Sequence, residues 1–162
     1  MIKLPPLINF NDYDSYQEYI DTVYRFFEDD FLKNAVYYLK EKIRCDSKIE
    51  DGKICTFWHI ATNKFSDKDR APDMARCARI QWIKPIIEKH RSKNVYVWEK
   101  TKKGRRRIYF CLNDWSYLII VEKRINKLKE NPSKYYLVLY TAFPIDEDWY
   151  KESLKKEFQD CV

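Results

Sequence analysis

Glycine and histidine are scarce: two of each occur in 162 residues. Two histidines give a zinc site little to draw on. Cys45, Cys55, Cys77, Cys111 and Cys161 contain no Cys-x-x-Cys pair, and Asp73 and Asp114 lack partners at metal-ligand spacing. An odd number of cysteines also argues against a disulfide framework. No metal and no cofactor is therefore expected. Long apolar runs are missing too. The opening MIKLPPLINF is no signal peptide, and nothing later approaches the ~20 apolar residues of a membrane span, so a cytoplasmic protein with no membrane partner is expected. Internal repeats and low-complexity tracts are absent.

What is present suits one domain over residues 1–162. Apolar residues make up 45% and aromatics 17%, enough for a folded core despite a charged fraction of 35%. The net charge of +6 and a pI near 8.9 favour a polyanionic partner. Charge is densest around Gly104, where Lys100, Lys102, Lys103, Arg105, Arg106 and Arg107 crowd together. That cluster reads either as a solvated hairpin turn or as a phosphate contact.

Taken in order, residues 1–13 form an extended arm, since Pro5 and Pro6 forbid helix there. Residues 14–90 read as mainly helical. Asp14 or Ser15 caps a helix with Tyr16, Tyr19, Ile20, Val23 and Phe27 at three- and four-residue steps, and Phe31–Ile43 is a second helical stretch. Asp46–Gly52 reads as a loop, and the polar NKFSDKD leads into a further helix with Pro72 in its first turn and Pro85 loosening its end. On that helix Arg76 and Arg79 share a side with Ile80, Ile83 and Ile87. Guanidiniums on an apolar stripe are either paired with acids or kept for an anion.

Residues 94–143 change to a period of two. Four apolar segments, separated by KKGRR, NDWS and INKLKENPSK, predict a four-stranded antiparallel meander. YYLVLYTAF, apolar on both faces, reads as a central strand covered by helices on one side. Residues 146–160 close the chain with a helix whose apolar set is Trp149, Leu154 and Phe158. The class is α+β.

Several of these residues, in this order, resemble a known pattern: Gly52-Lys53, Thr56-Phe57-Trp58-His59, Pro72-Asp73, Arg76-Cys77-Ala78-Arg79-Ile80, Trp82, Trp98, Arg107-Ile108, Leu112 and Tyr140-Thr141-Ala142-Phe143. Over about residues 16 to 160 they look like a family of small bacterial and phage-associated proteins placed with the barnase, EndoU, colicin and RelE toxin ribonucleases, the BECR fold. The chain departs from that pattern at Tyr140, where the family has Trp, and at Phe143, where it has Tyr. The resemblance implies an α+β fold with a four-stranded antiparallel sheet and metal-independent RNA cleavage; the expectation drawn from it is an endoribonuclease acting on tRNA or mRNA through the 2′-hydroxyl, with RNA as partner and an antitoxin or immunity protein as a further candidate that the sequence itself does not show. Its catalytic positions fall on His59, Arg76, Arg79, Arg107 and Thr141.

That set matches the chemistry. An imidazole moves protons near neutrality, and guanidiniums offset charge building on phosphate. Tyr117, Tyr140 and Lys84 are candidates for the second proton transfer, and His90, inside KHRSK, reads as surface. Further RNA contacts are expected from Arg70, Lys84, Lys102, Lys103, Arg105 and Arg106. His59 and Thr141 also have plain readings, as a core histidine and an ordinary strand former, while Trp58, Trp82 and Trp98 read as core. A non-catalytic module of phage or mobile-element origin, binding RNA or protein by the same basic face, is the alternative.

Overall fold

The Ser15 hydroxyl accepts the Glu18 amide at 3.1 Å and so caps helix α1 (Tyr16–Glu28), and the Glu18 carboxylate accepts from the Asp14 amide at 3.3 Å. This computed structural model describes residues 2–64, 70–125 and 135–161. Tyr19, Ile20, Val23 and Phe27 bury along one side of α1, as their spacing requires. The arm before it is tied down: Tyr19 Oη donates to the Ile8 carbonyl at 2.8 Å, and the Ile8 amide donates to the Ala78 carbonyl at 3.0 Å.

The helix read over Phe31–Ile43 is not there. A π-turn, Asp29–Lys33, buries Phe31, and the chain then makes strands β1 (Tyr37–Tyr38) and β2 (Glu41–Arg44). Their turn holds Leu39 at φ 49° and Lys40 at φ 70°, a left-handed pair with none of the Asn-Gly chemistry that advertises such a hairpin. A second hairpin, β3 (Ile49–Glu50) with β4 (Lys53–Ile54), replaces most of the expected 46–52 loop; Asp51 and Gly52 supply its positive φ angles.

Helix α2 (Cys55–Ala61) follows, then the paired strands β5 (Thr62–Lys64) and β6 (Arg70–Pro72). Most of the NKFSDKD segment lies outside the described residues. Pro72 sits in β6 and not in a helix's first turn; Asp73 caps instead, its carboxylate accepting the Arg76 amide at 3.1 Å. The expected single helix is divided at Arg79 into α3 (Met74–Ala78), one 3-10 turn and α4 (Ile83–Glu88). Pro85 has no N–H for the Gln81 carbonyl, and the restart at Ile83 places it in a first turn, where none is needed. Ile80, Ile83, Ile86 and Ile87 stay buried throughout.

The meander comprises β7 (Val95–Lys102), β8 (Arg105–Leu112), β9 (Tyr117–Ile125) and β10 (Tyr135–Pro144). The sheet has six strands, not four, in the order β1-β2-β10-β9-β8-β7. β2 lies parallel to β10, with Ile43 opposite Leu137 and Arg44 opposite Val138, so β10 is interior as its composition requires. Strand alternation divides the core. Ile108, Phe110, Ile119, Val121, Leu137 and Leu139 face the helices of the N-terminal half. Tyr109, Cys111, Leu118 and Ile120 face the closing helix α5 (Asp148–Cys161), so helices lie on both sides of the sheet.

In α5 Leu154 is buried and Phe158 packs beside Tyr96 and Trp98, but Trp149 is 71% exposed and Tyr150 takes its inward place against Phe143. Leu154→Ala is expected to cost about 2–5 kcal/mol in urea unfolding. Trp149→Ala should stay within about 0.5 kcal/mol.

Asp30, half-buried after α1, has its carboxyl pushed up to about 6 by burial, only partly opposed by Lys84, with Asp29 and Glu88 adding to the rise. A carboxyl whose folded pKa exceeds its unfolded value near 4 holds extra protons when folded between those limits. Its contribution to stability is therefore present at low pH and lost as pH rises through about 6. Asp30→Asn should raise Tm at pH 7 and remove that component of the pH dependence between roughly 4 and 6, measured by thermal melts across pH.

Candidate functional site

A fault in the β9–β10 ladder organises the site. Leu139 pairs with Val121 and Thr141 with Ile120, so Tyr140 is an extra residue. Such a bulge bends the strand and re-aims its side chains. β2 pairs with β10 only at Leu137 and Val138; beyond that point α2 and α3 pack against β10 and carry their side chains to Tyr140 and Phe143.

Three of the expected residues meet here. The His59 ring, from α2, stacks at 25° to Tyr140 with centroids 6.5 Å apart. The Arg107 guanidinium, from β8, lies 4.5 Å from the centre of the same ring. The Arg76 guanidinium, from α3, lies 5.0 Å over Phe143 and donates at 3.4 Å to the carbonyls of His59 and Thr62, with Asp73 at 3.5 Å as its counter-ion. Thr141, half-buried, stands next to Tyr140 on the strand. Three segments distant in sequence thus converge on one stretch of β10.

Arg79 does not join them. Its guanidinium lies 5.2 Å over Trp82 and donates to the Ala75 carbonyl at 2.9 Å. Of the other expected contacts, Lys102, Lys103 and Arg105 are exposed around the β7–β8 turn, where Lys103 and Gly104 take φ of 52° and 76°. Arg106 lies 4.7 Å over the ring of Tyr135 and hydrogen-bonds its hydroxyl. Lys84 sits on α4, where its charge acts on Asp30. Arg70 is in β6, and its side chain is outside the described residues.

Among the candidates for a second proton transfer, Tyr140 alone touches both His59 and Arg107. Tyr117 is fully buried, and burial pushes its phenol well up, with Arg79 and Arg76 opposing. His90 is not a surface residue. It is half-buried, its Nδ1 is 3.0 Å from the Ile87 carbonyl, and its ring meets Tyr38 edge-on at 4.8 Å. The indoles of Trp58, Trp82 and Trp98 all donate to the protein itself, to Glu50, Pro5 and Glu157. Burial pushes the Cys45, Cys77 and Cys111 thiols up to about 12, far from thiolate chemistry.

One residue the sequence reading passed over is Glu122. Its carboxylate is almost wholly buried, yet three guanidiniums surround it: Arg124 at 2.8 Å, Arg107 at 3.4 Å and Arg105 at 3.6 Å. Burial weighs against the Arg107 charge, but its interactions with Tyr109, Tyr140 and Glu122 prevail and hold its pKa above the ordinary arginine value. The signal was a lone acid between an apolar run and a basic one, in YLIIVEKRI. Among the described residues, no three His, Cys, Asp or Glu side chains gather as metal ligands, and no helix is long and apolar enough to cross a membrane. No protein-family model, no curated protein and no solved structure matches the chain, which leaves the convergence on Tyr140 to speak for itself.

Proposed function

We propose that the chain is an endoribonuclease that cleaves RNA by internal transfer to the 2′-hydroxyl, with tRNA or mRNA as its cellular substrate class. His59 takes the 2′-hydroxyl proton; the 2′ oxygen attacks phosphorus, and the bond to the 5′ oxygen breaks. Tyr140 returns a proton to that leaving oxygen. The products are a 2′,3′-cyclic phosphate and a 5′-hydroxyl end. Arg107 and Arg76 stabilise the charge that builds on the phosphate oxygens, and guanidiniums cannot surrender their own charge in doing so. The observation that carries this reading is the meeting of an imidazole and a guanidinium, from α2 and β8, on one phenol ring.

The test is purified protein with total RNA in EDTA, alongside His59→Ala and Arg107→Ala. Cleavage to cyclic phosphate ends that both variants lose is the expected result, together with growth arrest on expression that the variants relieve. Salt-sensitive retention of intact RNA would replace the enzyme by a binding module, a reading favoured by the cation–ring pairs of Arg106 with Tyr135 and Arg44 with Tyr136.

A further inference from the structure

Helix α5 covers only part of its side of the sheet. It lies over Tyr109, Cys111, Leu118 and Ile120, and Tyr140 packs at the border of that cluster, while Arg107, Glu122, Arg124, Tyr136 and, from β2, Arg44 occupy the rest of that face. We propose that this uncovered part is a track for single-stranded RNA, running from Tyr140 across β10 to β2. The proposal rests on the ribonuclease reading only for where the scissile phosphate sits; the track itself stands on other residues.

Charge is the first support. Three guanidiniums, of Arg105, Arg107 and Arg124, stand around the single carboxylate of Glu122, a fourth, of Arg44, lies over Tyr136, and Lys100 is already paired with Glu157. The surplus is positive and belongs with a polyanion. Glu122, 2% exposed, gives up its own water to hold three of these side chains in place, so little further ordering is needed when phosphates arrive.

Rings are the second support. Arg44 lies 5.2 Å over Tyr136, and Arg107 lies 4.5 Å over Tyr140. Neighbouring strands are about 4.8 Å apart, so rings and guanidinium planes are spread across a broad pleated surface. Unstacked bases lie down on such a surface, as they do on other sheet-borne aromatics. The bases of an A-form duplex stay stacked on each other and present mainly phosphates and 2′-hydroxyls. Single strands therefore use both features of the face, and duplexes only its charge.

The experiment uses full-length His59→Ala protein, so that RNA survives, and fluorescence anisotropy with a labelled mixed-sequence RNA of about 12 nucleotides, single-stranded or in a blunt duplex. Single strands should bind at least about tenfold more tightly than the duplex, and Tyr136→Ala should weaken single-strand binding about tenfold. Arg44→Ala, at an exposed position, should reduce the slope of log K against log salt by about 0.7. Lys48→Ala, away from this face, should change neither. Equal or tighter duplex binding, absence of RNA binding, or single-strand binding indifferent to both variants would overturn the track. The two proposals fail separately. Cleavage by the natural sequence with no effect of Tyr136→Ala on binding removes the track and keeps the nuclease; single-strand binding lost on Tyr136→Ala, with no cleavage by any form, does the reverse.

Discussion

Alanine at position 59 is expected to lower RNA cleavage by roughly two to four orders of magnitude, the usual worth of a positioned proton-transfer group. Stability should change by no more than about 1 kcal/mol, because His59 is only half-buried and α2 is held in the core by Phe57, Ile60 and Ala61. The separation matters: Phe57→Ala would also abolish cleavage, but by unfolding the helix that carries the imidazole. A pH profile adds a second readout. Whatever pH dependence His59 contributes to the natural sequence should be missing from the activity that the alanine variant retains. An alanine variant cutting RNA at the natural rate would remove His59 from the chemistry.

Glu122→Ala should be the most damaging single change at the sheet surface, costing about 3–5 kcal/mol in urea unfolding out of a total near 5–15. The carboxylate is 2% exposed and Arg107 only 14%, so its removal strands a buried guanidinium without its anion. By contrast Arg105→Ala and Arg124→Ala, whose side chains are 63% and 43% exposed, should each cost no more than about 1 kcal/mol. Pairing Glu122→Leu with Arg107→Met removes both charges together and should recover most of the loss. The same double change should abolish cleavage, since stability regained is not a guanidinium regained. Glu122→Ala within about 1 kcal/mol of the natural sequence would mean that the cluster is held by something other than this carboxylate.

How much of this could be read beforehand depended on whether the information is local. In β8 the alternation of Ile108, Phe110 and Leu112 with Arg107, Tyr109 and Cys111 is written into neighbouring residues, and the strand is where the period places it. α1 is equally legible, from its cap at Ser15 to Phe27. β2 is not: of its residues only Ile43 is buried, its turn is built on Leu39 and Lys40, and its main partner is the far-off β10. Trp149 looked like core because tryptophan usually is; nothing local tells that Tyr150 takes the inward position. At the site, residue type identified His59, Arg76 and Arg107, because chemistry goes with type. The bulge at Tyr140 and the burial of Glu122 needed the third dimension, since each is decided by a neighbouring strand.

The parallel pairing of β2 with β10 also has a bearing on how the chain comes off the ribosome. β2 and α2 emerge long before β10 is translated, and between them come the segments that form β7, β8 and β9. The early half cannot close its sheet edge by local contacts, which makes this closure a late and slow event. The nascent polypeptide thus presents His59 before the ring of Tyr140, on which it stacks in the finished fold, has been made.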